Sequence, residues 1–138
     1  MAYDKAGIRF SKESYVFVDG QGGKIERKRL YDNPDTTQQM TTDTLFTESE
    51  ILDYDFLAFM VTNTEGSIEV EEWCEIAPLH DASGQFVISN PTGSSLYARK
   101  VYRTGGNVKP SAGVYDLGAT TQDKNQCIIK YVDAVKIK

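Results

Sequence analysis

Apolar residues along this chain recur mainly in twos, and β-branched and aromatic types cluster between Gly, Asn, Asp and Pro punctuation, which is the rhythm of strands. Ile8 and Phe10 alternate, and a short apolar run over 15–18 ends at Asp19-Gly20-Gln21-Gly22-Gly23, the layout of a hairpin whose glycines supply positive φ. Over 24–31, Ile25, Arg27, Arg29 and Tyr31 fall on one strand face and Lys24, Glu26, Lys28 and Leu30 on the other. Neither face is strongly apolar, so an edge strand is expected. The stretch 32–44 has Met40 as its one large apolar residue and reads as an exposed connection.

Thr47 followed by Glu50 has capping-box spacing and predicts a short helical turn ahead of Ile51 and Leu52. A strand buried on both faces is expected over 54–62, then a turn at Thr64-Glu65-Gly66-Ser67. The clearest strand is 68–76, where Ile68, Val70, Cys74 and Ile76 alternate with Glu69, Glu71, Trp73 and Glu75. Further strands are expected over 86–89, 96–103 and 127–137, with a brief pairing over 114–117 and a break at Thr104-Gly105-Gly106-Asn107. About eight strands with frequent turns and no helix–strand alternation predict an all-β fold, an antiparallel β-sandwich of jelly-roll-like kind. The whole of 1–138 is expected to form a single domain, with 1–23 either part of the sandwich or a segment anchoring the protein to a neighbour.

Composition narrows the partners. Hydrophobic residues at 40% and charged residues at 25% suffice for a packed core. With 15 basic against 20 acidic residues the net charge is −5, so a phosphate backbone is repelled and nucleic acid is not an expected partner. No apolar run reaches the ~20 residues of a membrane span, so no membrane insertion is expected. The two cysteines, Cys74 and Cys127, fall on inward faces and are expected as buried free thiols.

Little in the chain favours catalysis. The single histidine, His80, lies beside Asp81, a pair that could form a general base but reads more plainly as loop residues, because no nucleophile motif accompanies it. Gly20 to Lys24 lacks the spacing of a phosphate loop, no EF-hand pattern exists, and neither a cofactor nor a metal site is expected. Glu69, Glu71 and Glu75 share a face with Trp73. They form either a solvated face or, because carboxylates beside an aromatic ring suit a sugar, a ligand site comprising Trp73, Glu71, Asp81 and Gln85. Carboxylates two apart on a strand sit about 7 Å apart at Cα, which leaves a small polysaccharide hydrolase as an alternative. A cellular ligand-binding sandwich is another. Lys24, Arg27, Arg29 and Tyr31 are candidate contacts to another subunit or protein, since Glu26 and the acidic surroundings speak against nucleic acid.

Two segments add a resemblance. The stretch from Thr44 through Phe46, Glu48, Ile51 and Tyr54 to Leu57 resembles part of the β-sandwich tips of bacteriophage tail fibres: a threonine-rich strand, a short turn, an Asn/Asp-Tyr/Phe-Asp core and an apolar strand. The closing run Cys127-Ile128-Ile129-Lys130-Tyr131-Val132-Asp133-Ala134-Val135-Lys136-Ile137-Lys138 is similar to the last strand of those modules, with Val132-Asp133-Ala134 where they carry a glycine. The resemblance, over 30–138, implies a non-enzymatic virion protein: a fibre tip, head fibre or decoration protein. Its implied partners are other virion proteins and a host-surface glycan or protein, and its implied assembly is a homo-oligomer, often a trimer. It designates no receptor-contacting residue.

Overall fold

The alternation over 69–75 is realised as a strand, and the other strongly patterned segments follow it. The structure, a computed structural model, describes residues 24–77, 84–91, 95–116 and 123–137, together with the backbone of three short strands before them. Twelve strands occur among the described residues: β1 (Ala2–Tyr3), β2 (Arg9–Phe10), β3 (Ser14–Val18), β4 (Lys24–Asp32), β5 (Phe46–Thr47), β6 (Phe56–Thr62), β7 (Glu69–Glu75), β8 (Gln85–Pro91), β9 (Leu96–Thr104), β10 (Asn107–Pro110), β11 (Tyr115–Asp116) and β12 (Ile128–Ile137). The predicted turn after Thr47 is a 3-10 helix, Glu48–Ile51, whose capping box forms: the Thr47 backbone N–H donates to Glu50 Oε1 at 2.9 Å.

The strands form two antiparallel sheets, an all-β sandwich as the turn-rich pattern predicts. One sheet runs β1-β2-β3-β4-β12-β6-β7. In the other, β9 pairs with β8 along one edge and with both β10 and β11 along the opposite edge, and β10 continues to β5. Leu57, Phe59, Val61, Val132 and Ala134 of the first sheet face Phe46, Ile88, Val101 and Val108 of the second, all buried. The Phe59 and Phe86 rings meet edge to face across the gap, 5.3 Å between centroids.

The expected edge strand over 24–31 is corrected. β4 lies inside the sheet, paired with β3 on one side and β12 on the other. Its weak apolarity has another cause: Arg27 and Arg29, on one face of β4, pair with Asp133 of β12, Glu71 of β7 and Asp32 of β4 itself. A bulge alters the alternation as well. Arg29 opposes Asp133 and Tyr31 opposes Val132, so two residues of β4, Leu30 and Tyr31, stand against one of β12, and both pack toward the core. Tyr31 is thereby carried to the face opposite Arg29, where strict alternation would have kept the two together.

Polar groups close the sandwich. At its edge Glu72 of β7 accepts a hydrogen bond from the Ser89 backbone N–H of β8 at 3.0 Å, tying the two sheets' outermost strands together. At one end the fully buried Arg99 donates to the carbonyls of Cys127 (2.8 Å), Gln126 (3.1 Å) and Ser111. Asn90 Oδ1 accepts from the Cys127 N–H at 2.7 Å. These bonds hold Cys127 at φ 51°, a left-handed conformation unusual for a residue with a side chain. Both cysteines are free, as expected, but only Cys127 is buried; Cys74 is half-buried.

Candidate functional site

The outer face of the seven-stranded sheet gathers residues from β4, β7 and β12 that the sequence offers separately. Register explains the meeting: Arg29, Asp133, Ala58 and Trp73 lie in one row across β4-β12-β6-β7, and Arg27, Val135, Phe56 and Glu75 in the next. Arg27 is only 6% exposed. Its Nη1 and Nη2 donate to the two oxygens of Glu71 at 2.8 and 2.9 Å, and its Nε and Nη2 donate to Asp133 Oδ2 at 3.2 and 3.0 Å. Arg29 Nε bonds the other Asp133 oxygen, and Arg29 Nη1 bonds Asp32. Asp133 has no exposed surface.

Two rings complete the cluster. Trp73 Nε1 donates to Glu71 Oε1 at 2.8 Å, and the Tyr131 hydroxyl donates to Glu71 Oε2. The Arg27 guanidinium lies 5.6 Å from the Trp73 ring centroid and that of Arg29 4.0 Å from the Tyr131 centroid, within cation–π range. Trp73, tilted against Phe56 at 6.0 Å, remains 41% exposed. The result is a tryptophan face held rigidly at the surface by a charged scaffold.

Electrostatics sets the protonation of this scaffold. Burial works against ionised Glu71, but hydrogen bonds from Arg27, Tyr131 and Trp73 outweigh it and bring the Glu71 pKa down to about 2. Burial, followed by the Glu71 carboxylate, pushes the Tyr131 phenol up to about 12. Glu71 is therefore a fixed anion with committed oxygens, the opposite of the proton donor a glycoside hydrolase requires.

The other candidates disperse. Gln85 is exposed on β8, opposite Tyr102, in the other sheet. Asp81, like His80 and the glycine turn at 19–23, lies outside the described residues. Lys24 opens β4 and is exposed, while Tyr31 lines a cavity on the opposite side of its sheet from Arg27 and Arg29. Sequence reasoning missed Asp133 and Tyr131 as members of the cluster. The available signal was one acid inside the otherwise apolar run Val132-Asp133-Ala134-Val135. Among the described residues no group of three or more His, Cys, Asp or Glu side chains could hold a metal ion, and no helix is long and apolar enough to cross a membrane.

Fold and site together define an all-β sandwich protein with a charge-locked aromatic face on its larger sheet. Comparison with family models, curated proteins and solved structures returned no match.

Proposed function

We propose that this chain is a non-enzymatic structural and adhesive component of a bacteriophage virion, a fibre tip, head fibre or decoration protein. It acts as a homo-oligomer, a trimer by the likeness of its segments to fibre tips. Its partners are neighbouring virion proteins and a host-surface glycan or protein. The observation that carries the reading is the Trp73 face: an exposed ring whose orientation is set by Glu71, Arg27 and Tyr131 is pre-organised for contact and loses little freedom on binding. Oligomerisation would multiply such weak contacts into firm attachment. The resemblance supports the same reading, since its two segments supply β5, the capped turn, the start of β6 and all of β12.

The test is made on particles and in solution. Antibodies raised against the chain should label density-purified phage particles from the culture that encodes it, and light scattering during size exclusion should return the mass of an oligomer. Trp73→Ala should reduce attachment of the purified protein to host cells while leaving its circular dichroism unchanged. Unlabelled particles in a culture rich in the free protein would sink the virion assignment.

A further inference from the structure

On the opposite face from the Trp73 cluster, the 33–45 connection folds over Tyr31 and encloses a half-open cavity of about 380 Å³, within the range of small-ligand sites. Tyr31, Pro34 and Met40 give it apolar surface, and Asp35, Gln38 and Asp43 are polar members of its wall. The connection is fastened at several points. Asn33 donates from its side chain to the Ile129 carbonyl and from its backbone to the Lys130 carbonyl, both at 2.9 Å. Gln39 Nε2 reaches Asn125 Oδ1 at 3.1 Å, and the Leu45 N–H reaches the Val108 carbonyl at 2.8 Å. The cavity is thus formed before any ligand arrives.

Its polar groups are only partly used. Asp35 Oδ1 accepts from Thr37, and Asp43 Oδ2 from Thr41. The second oxygen of each carboxylate, the Gln38 carboxamide and the Tyr31 hydroxyl have no hydrogen-bond partner among the described residues. An aromatic ring beside apolar surface suits the C–H face of a pyranose, while carboxylate and amide oxygens accept from hydroxyls and the amide N–H donates. Among the described residues no Lys or Arg lines the cavity, and its two carboxylates disfavour an anion.

We propose that this cavity is a binding site for a neutral saccharide, one or two pyranose units carrying no carboxylate, sulfate or phosphate. The site is separate from the Trp73 face and stands whether or not the protein belongs to a virion.

Saturation-transfer NMR on the purified full chain provides the test. The probes are methyl pyranosides of gluco, galacto and manno configuration, their N-acetylhexosamine counterparts, sialic acid, and tetramethylammonium as a cation control. At least one neutral sugar should receive saturation and bind with a Kd in about the millimolar range usual for a single weak module. Gln38→Ala and Asp43→Asn should each weaken it tenfold or more, while Trp73→Ala leaves it unchanged. Both variants alter exposed side chains, and unchanged circular dichroism will show that the fold persists. No transfer to any neutral probe, transfer that survives both variants, or binding of sialic acid or tetramethylammonium alone would each overturn the proposal.

Discussion

Arg27 and Asp133 stand 106 residues apart in the chain and meet in the middle of the larger sheet, guanidinium to carboxylate at 3.0 Å, both almost sealed from water. Arg29 takes the second Asp133 oxygen, so one buried carboxylate answers two arginines of the same strand. Each charge is costly in that place without the others.

Removing the shared acid should therefore be severe. Asp133→Asn is expected to lower unfolding free energy by about 3 kcal/mol, the lower end for breaking a buried pair, because Arg27 keeps Glu71. Asp32→Asn, which removes the exposed end of the same chain of contacts, should change stability by less than about 1 kcal/mol. Urea denaturation of both variants checks the contrast, and equal losses would refute the view that burial of Asp133 sets the cost.

Acid should dissolve the scaffold through Glu71. Its folded pKa, near 2, lies below the ordinary value of 4.5, so its contribution to stability is fully present above about 4.5 and is lost as pH falls toward 2. Urea midpoints measured from pH 6 downward should fall in that window, and Glu71→Gln should flatten the fall. Trp73, the one tryptophan and a direct partner of Glu71, should report the same transition in its emission. A Glu71→Gln profile parallel to the wild type would assign the acid response to other carboxylates.

Arg99 closes the end of the core with donors that lysine lacks. Burial lowers its pKa to about 10, which still leaves it charged at neutral pH, and three backbone carbonyls surround the charge. Arg99→Met should cost roughly 3 kcal/mol at about 1 kcal/mol per orphaned carbonyl, and Arg99→Lys should recover less than half of it, since a point ammonium cannot reproduce the planar fork. Chemical denaturation of the pair decides this, and full recovery by lysine would mean that charge alone matters there.

Both thiols should be slow. Burial pushes Cys127 up to about 11 and Cys74 up to about 12, so the reactive thiolate is scarce at pH 8. A disulfide reagent should modify the native protein on the order of a hundredfold more slowly than a free cysteine, and should titrate two thiols promptly once guanidinium unfolds it. Fast labelling of the native chain would show that these sites open readily.

Glu72 protects a sheet edge. Glu72→Ala removes the acceptor for the Ser89 N–H and should leave β8 open to pairing with other chains. Concentration-dependent light scattering should rise at unchanged secondary structure, and an unchanged scattering curve would deny Glu72 that role.

How much of this was legible depends on how local each feature is. The alternation in 69–75, the capping box at Thr47 and Glu50, and the apolar run ending in β12 concern residues within one turn or one strand, and the structure follows them. The Trp73 and Glu71 pairing on one face was likewise readable from spacing alone. Arg27 and Asp133 were not, because a charged position in a strand reads the same whether its partner is water or an acid brought in from another strand.

Local periodicity and turn residues thus determined an all-β chain, most of its longer strands and its inward cysteines. Only the tertiary structure decided that β4 is interior, that one bulge turns Tyr31 away from Arg29 toward a cavity, and that Arg27, Glu71, Trp73, Tyr131 and Asp133 form one cluster. The physical reason is that period-two patterning specifies which side of a strand faces the core but not which strand lies beside it. The neighbour is chosen by contacts between distant residues, whose energy depends on the burial those same contacts create.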